Sequence, residues 1–366
     1  MVLKNYWWLL IWMFLFGAIS LAFIPRREEI VLGKPCMRWG KLSAALLALP
    51  YVIWAAWRTD GFGDTSQYRL TFNDMPTGLS NMWPYVQSQP KGPLFVTFRY
   101  LIKTLISDSS IVYFLIIAIV QMAFLIHFYR KYSKNYWLSI FLFVASTDYM
   151  SWMHNGIRQF LAATILLACI PLIAERRYFL SCVIALICIF IHSASAIFLP
   201  FIFVVNGKAF NFRTMLFIVG LIFSILFVDR ISGFIVESME NTVYESGIEY
   251  YLADDGTNIL RVLFYSVPTI ACWFFRDRIE QSDDPLINVC ANLSVISAGI
   301  YLFSSFTSGI FVGAVPIYFS LVNYILIPWL IDELFTRESR LFVQGVAIAV
   351  YSFFFYYQMG PTWHLI

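Results

Sequence analysis

The sequence predicts an all-α polytopic membrane protein of about 11–12 segments, at roughly 20 apolar residues per crossing. Three observations predict it. Of the 366 residues, 60% are hydrophobic and only 13% charged, whereas a soluble globular chain carries about 25% charged residues. The apolar residues gather in runs long enough to cross lipid. Aromatics reach 19%, and Trp and Tyr collect where a bilayer meets water. No basic patch or motif for nucleic acid is present, so no nucleic-acid partner is expected.

The first run, residues 6–24, is longer than a signal-peptide core and leads into a basic loop, which marks a retained span. Further candidate spans cover 42–57, 110–128, 135–150, 156–174, 178–190, 193–205, 213–228, 258–275, 286–305, 307–331 and 341–357. Lys and Arg collect in cytoplasmic loops. The loop "IPRREEIVLGKPCMRWGK" (24–41), with Arg26, Arg27, Lys34, Arg38 and Lys41, therefore faces inward. So do "RKYSK" (130–134), "ERR" (175–177) and "RDR" (276–278).

Segment 229–257 holds seven acidic residues against Arg230 alone, which puts it outside. The run 178–205 is long for one crossing. The charge assignments on either side of it agree only if it breaks near His192 and returns as two short legs. Residues 92–107 read as an amphipathic or re-entrant element on the outer face, with Arg99 and Lys103 opposite its apolar side. The expected organisation is one integral membrane domain with an external loop and amphipathic helix at 58–109, and an acidic external loop at 229–257.

Six cysteines are present: Cys36, Cys169, Cys182, Cys188, Cys272 and Cys290. None has metal-ligand spacing, and buried structural thiols are the expectation. The Asp pairs at 254–255 and 283–284 lack a third ligand, so no metal or cofactor is expected.

On this topology the unusual polar residues share one side. "RTDGFGDTSQY" (58–68) brings Asp64 and Tyr68, and "SWMHNGIRQF" (151–160) brings Asn155, Arg158 and Gln159. His192 sits at the break, and "YYLADDGTNILR" (250–261) brings Tyr250 and Arg261. A cation at the mouth of an apolar span is costly unless it faces a cavity, a partner or a substrate. Structural readings stand beside the functional ones. Arg158 and Arg261 can snorkel to headgroups. His192 can be satisfied by Ser193 and Ser195. Asp64 can cap a turn or pair with Arg58.

At these residues the chain resembles the EpsG branch of Wzy-type polysaccharide polymerases. The resemblance rests on "DGFGDTSQYRLTF", on "IRQ" opening a span, on "HSAS" after a basic turn, and on "YYLADDGTNILRVLFYSVP". It covers about residues 45–360 and implies a metal-independent membrane glycosyltransferase of GT-C-like fold in the bacterial cytoplasmic membrane, its active site facing the exterior. The implied donor is a glycan on undecaprenyl diphosphate, and the implied acceptor is a repeat unit on the same lipid. A chain-length regulator is an implied partner. The family's functional positions correspond to Asp64, Tyr68, Arg158, Gln159, His192 and Arg261. Two departures stand out. Members often carry an acidic residue where Gly92 stands, and an Arg before the late motif that reads "FVGAVPIYF" here. Relatives also commonly run on past the position of Ile366, which leaves open whether the tail is truncated.

The chemistry of the residues agrees with this reading. An Arg fork matches phosphate oxygens, so Arg158 and Arg261 are expected to hold the diphosphate. His192, or Asp64, is the expected base for the acceptor hydroxyl. Asn155, Gln159, Tyr68 and Tyr250 are expected substrate contacts. The rival readings are a lipid-linked oligosaccharide flippase, an O-antigen ligase and a membrane O-acyltransferase.

Overall fold

The computed structural model describes residues 6–239, 248 and 253–364. Five of its helices are long and apolar enough to cross a membrane: Ser110–Tyr132, Ile157–Ala174, Pro285–Ser304, Ile317–Leu334 and Arg337–Pro361. Shorter apolar helices accompany them. The chain is an all-α polytopic membrane protein, and it divides into two compact units.

The first unit comprises the described part of Met1–Ala168, with Ile189–Ser193 and Ile327–Ile366. It opens with α1 (Trp7–Phe23). The expected basic loop is instead a β-hairpin, β1 (Arg26–Val31) against β2 (Lys34–Trp39). Leu32 and Gly33 turn it, both with positive φ (49° and 78°), as a tight two-residue hairpin turn requires. A lone two-stranded ribbon is barely stable in water, and this one is pinned. Arg130 grips the Glu29 carboxylate with both Nη atoms at 2.7 and 3.0 Å and donates to the Trp39 carbonyl. Arg38 donates to the Lys131 and Ser133 carbonyls.

After α2 (Lys41–Ala56), the chain from 58 to 109 folds into three short helices: α3 (Thr65–Asn73), α4 (Leu79–Ser88) and α5 (Pro93–Leu101). The Lys103 ammonium caps α3 by donating to the Phe72 and Asn73 carbonyls at 2.7 and 2.6 Å. Phe72 stacks on Tyr113 of α6 (Ser110–Tyr132), ring centres 4.6 Å apart. Arg99 departs from expectation. It is buried rather than opposite the apolar side, because α3 and α4 lie over it and supply Thr71 and Tyr85 as acceptors.

The span expected at 135–150 ends early. The helix α7 (Tyr136–Ala145) gives way at Thr147, whose φ is +71°, to a wide turn over Tyr149–Asn155. Next come α8 (Ile157–Ala174) and α9 (Tyr178–Ile191). The helix breaks at His192, and a tight turn over Ser193–Ile197 leads into α10 (Phe198–Val204).

The second unit comprises Cys169–Cys188 and Ala194–Leu326. Its helices include α11 (Phe212–Leu226), α12 (Val228–Met239), α13 (Ile259–Phe274), α14 (Arg276–Gln281) and α15 (Pro285–Ser304). Asp284 caps α15, accepting from the Leu286 and Ile287 amides, with Pro285 at the first position where its missing N–H does no harm. The span expected at 307–331 begins only at Ile317, in α16 (Ile317–Leu334). The preceding turn packs on the 254–257 loop so closely that a Cβ at Gly309 would lie 2.9 Å from the Gly256 carbonyl. The last helix, α17 (Arg337–Tyr357), belongs to the first unit. Of the expected acidic loop 229–257, residues 229–239 are helical in α12, and 240–247 and 249–252 lie outside the described residues.

Candidate functional site

Gly92 is the joint around which the first unit builds its polar cluster. It takes a left-handed φ of +66° and precedes Pro93 at the start of α5. A Cβ there would stand 2.7 Å from the Ile191 carbonyl oxygen and 3.3–3.4 Å from the Arg158 side chain. The position where the family resemblance leads one to expect an acid therefore abuts Arg158. Only glycine combines this φ with this closeness.

Arg158, in the first turn of α8, is half-buried. Its Nε is enclosed and meets no acceptor among the described residues. His192 lies at the helix break, outside both legs. Burial first, then the positive charges of Arg158 and Lys91, push its imidazole down to about 4. It is therefore neutral at physiological pH, with a basic nitrogen beside a fixed cation. Lys91 is itself held below the usual lysine range, by burial and by Arg158.

Asn155 closes the wide turn and reaches across to the 58–64 loop, where its Oδ1 accepts from the Asp64 amide at 2.8 Å. This explains why Asp64 sits where it does. Its carboxylate is exposed and makes no capping bond to α3. Tyr68, one turn into α3, is half-buried. Burial raises its phenol above the usual value. Arg158, Arg58 and Arg99 act the other way. Gln159 is half-buried beside Arg158 in sequence.

The structure thus brings together Asp64 with Asn155, and Arg158 with His192, inside one unit, with Tyr68 within reach of the Arg158 charge. Arg261 belongs to the second unit, where its guanidinium lies 5.8 and 6.0 Å from the ring centres of Tyr265 and Tyr301. Tyr250 lies outside the described residues. In the same unit Asp254 is structural. Its carboxylate accepts from the Ser308 hydroxyl at 2.6 Å and the Ile310 amide at 2.7 Å, and also from the Gly256 amide. Burial raises its pKa, but these donors outweigh that and hold it below the usual carboxylate range.

Two buried arginines were given no site role by the sequence. Arg58 is 1% exposed and Arg99 7%. Arg58 donates to the Ala55 and His154 carbonyls, both at 2.6 Å, and lies 4.3 Å over the Phe114 ring. Burial lowers its pKa to about 10, so it stays a cation. The signal available was a cation set directly among aromatics, "AAWRTD" and "TFRYL". Among the described residues, no three His, Cys, Asp or Glu side chains gather as metal ligands would.

The first unit of this apolar helical chain thus gathers guanidinium groups and a neutral imidazole. Residues 41–361 match the EpsG family, and the chain belongs to it. Membership points to a polysaccharide-polymerase-like function. No curated protein and no solved structure matches the chain.

Proposed function

We propose that the protein joins oligosaccharide repeat units carried on undecaprenyl diphosphate, at the outer face of the bacterial cytoplasmic membrane. The observation that carries this reading is the enclosed Arg158 Nε without an acceptor, beside a His192 kept neutral. Donor and acceptor glycans on the same lipid are the substrates in this reading, and a chain-length regulator is a partner implied by the family resemblance alone.

In the reaction the acceptor hydroxyl oxygen bonds to the donor's anomeric carbon as that carbon's bond to the phosphate oxygen breaks. Undecaprenyl diphosphate leaves with the electron pair. Arg158 meets the phosphate oxygens with charge-assisted hydrogen bonds, which gain strength where little water screens them. Arg261 is the second phosphate ligand in this reading. His192 takes the hydroxyl proton. An imidazole held near pKa 4 is a weak base, but the cause of its weakness is partly the charge of Arg158 and Lys91. A bound diphosphate offsets those charges and raises the imidazole's basicity when it is needed. Asp64, Asn155, Gln159 and Tyr68 orient the acceptor sugar, with Tyr250 as a further contact.

The test is purified protein in proteoliposomes with lipid-linked repeat units. A ladder of glycan products supports the reading, and its loss in Arg158→Ala at normal protein level supports the role of that residue. Lipid movement without chain growth would mean a flippase, and transfer to lipid A core a ligase. Label incorporated from an acyl donor would mean an acyltransferase.

A further inference from the structure

Arg158 is one of three guanidinium groups that act on the same pair of tyrosines. Tyr68 feels Arg158, Arg58 and Arg99, and Tyr113 feels Arg99, Arg58 and Arg158. None of the three forms an ion pair among the described residues. Each also keeps a buried donor without an acceptor: Nη2 of Arg58, Nε of Arg99 and Nε of Arg158. The Tyr113 hydroxyl and Thr65 Oγ1 nearby in sequence and structure are likewise buried and unpartnered. Asp64 is the one carboxylate that acts on Tyr68 alongside them, and it is exposed.

Buried polar atoms nearly always find partners, and a buried charge without a counter-charge costs several kcal/mol. Three such cations in one cluster, none paired to a carboxylate among the described residues, are explained together if an anion from outside supplies the counter-charge. The count of charges then says which anion. A phosphodiester has one negative charge and one guanidinium suffices. A sugar–lipid diphosphate has two, and calls for more than one cation.

Building on the reading above, we propose that Arg99 and Arg58 are positioning residues of the diphosphate site: Arg158 touches the phosphates at the half-buried edge, and the two enclosed guanidinium groups behind it make the site prefer a diphosphate to a monophosphate. Arg58 reaches the cluster through its fixed bonds to the Ala55 and His154 carbonyls, and Arg99 through Thr71 and Tyr85. These bonds leave the side chains no freedom to turn away.

The experiment measures binding of inorganic pyrophosphate and of orthophosphate to the purified full chain in nanodiscs, by calorimetry, beside the glycan-ladder assay. Wild type is expected to prefer pyrophosphate by about tenfold or more, the worth of one charge-assisted hydrogen bond. Arg99→Gln and Arg58→Gln are expected to shrink that preference to about threefold while orthophosphate still binds, and Arg99→Lys to restore part of it. Arg158→Gln is expected to lose both ligands. Lys34→Gln, on the hairpin, is expected to leave the preference unchanged. If Arg58→Gln fails to fold, Arg99→Gln decides. A wild-type preference retained in Arg99→Gln overturns the proposal, because a merely structural arginine would leave the ratio alone. A wild-type chain that builds glycan ladders yet shows no preference overturns it too, while the polymerase reading survives. Arginine-dependent preference without any ladder upholds the site and sinks the polymerase.

Discussion

The two ends of α6 hold arginines in opposite circumstances. At its C-terminal end Arg130 binds Glu29 with both Nη atoms and the Trp39 carbonyl besides, and nearby Lys134 pairs with Glu333 at 3.1 Å. Toward its N-terminal end, about 26 Å from Arg130 by helix rise, Tyr113 feels three guanidinium groups that form no ion pair among the described residues. The residue type and the unit are the same. The difference suggests how to tell scaffold from site here: where the chain supplies a carboxylate the cation ties elements together, and where it supplies none the counter-charge is proposed to come from outside.

The largest effect should come from exchanging the two roles. Arg158→Gln is expected to cut chain elongation by about a hundredfold, as loss of a transition-state charge partner does, with the melting temperature unchanged. Arg130→Gln is expected to lower stability by about 2 kcal/mol, between a surface and a fully buried pair, with normal turnover per folded molecule. Ladder assays and thermal unfolding read both. A turnover loss in Arg130→Gln as deep as in Arg158→Gln would erase the distinction between the ends.

Glycine exchange sharpens the comparison next. Gly33 in the hairpin has φ +78° and open space around its Cβ position, whereas Gly92 has φ +66° and the Ile191 carbonyl 2.7 Å away. Gly33→Ala is expected to cost about 1–2 kcal/mol for the left-handed backbone alone. Gly92→Ala should cost more and also reduce elongation about tenfold, since Arg158 and the His192 break must shift. Equal losses of stability, with activity intact in both, would show that the crowding at 92 is harmless.

Titration gives a third contrast. The folded His192 stays neutral down to about pH 4, while an unfolded chain takes up the proton near 6.5. Stability is thus fully present above pH 6.5 and drains as pH falls through that window. Arg158→Gln should move the His192 transition, followed by NMR of labelled histidine, back toward 6.5. No movement would mean that Arg158 does not govern the imidazole. The smallest effect belongs to the other end. The hydrogen bond from Arg130 holds the Glu29 carboxyl below its usual 4.5, against burial. Its contribution is present above pH 4.5 and fades below it. Glu29→Gln should flatten only that acid limb, as measured by the pH dependence of unfolding.

The spans were legible because lipid enforces unbroken apolar runs, and the break at His192 followed from charge bookkeeping along the chain. The hairpin was hidden because five basic residues in a short connection look like a solvated loop, and Leu32 is a poor advertisement for a left-handed turn. The start of α16 was misread because nothing apolar or polar in 307–316 reveals that Asp254 and Gly256 occupy its backbone. Arg158 and His192 stood out by type and setting. Arg99 did not: helical spacing put it on the polar side of its own helix, and only the packing of α3 and α4 over that side buries it. Periodicity reads one element at a time, and this part of the site is made between elements.

The backbone at position 92 also sets limits on how the gene can change. Every amino acid one nucleotide substitution away from glycine carries a Cβ, so each single-step mutant meets the Ile191 oxygen at once. An acid could settle there only along with a rerouted main chain. In this lineage the availability of the neighbouring guanidinium is therefore guarded by a lack of room, and its loss by gradual drift is blocked at the first step.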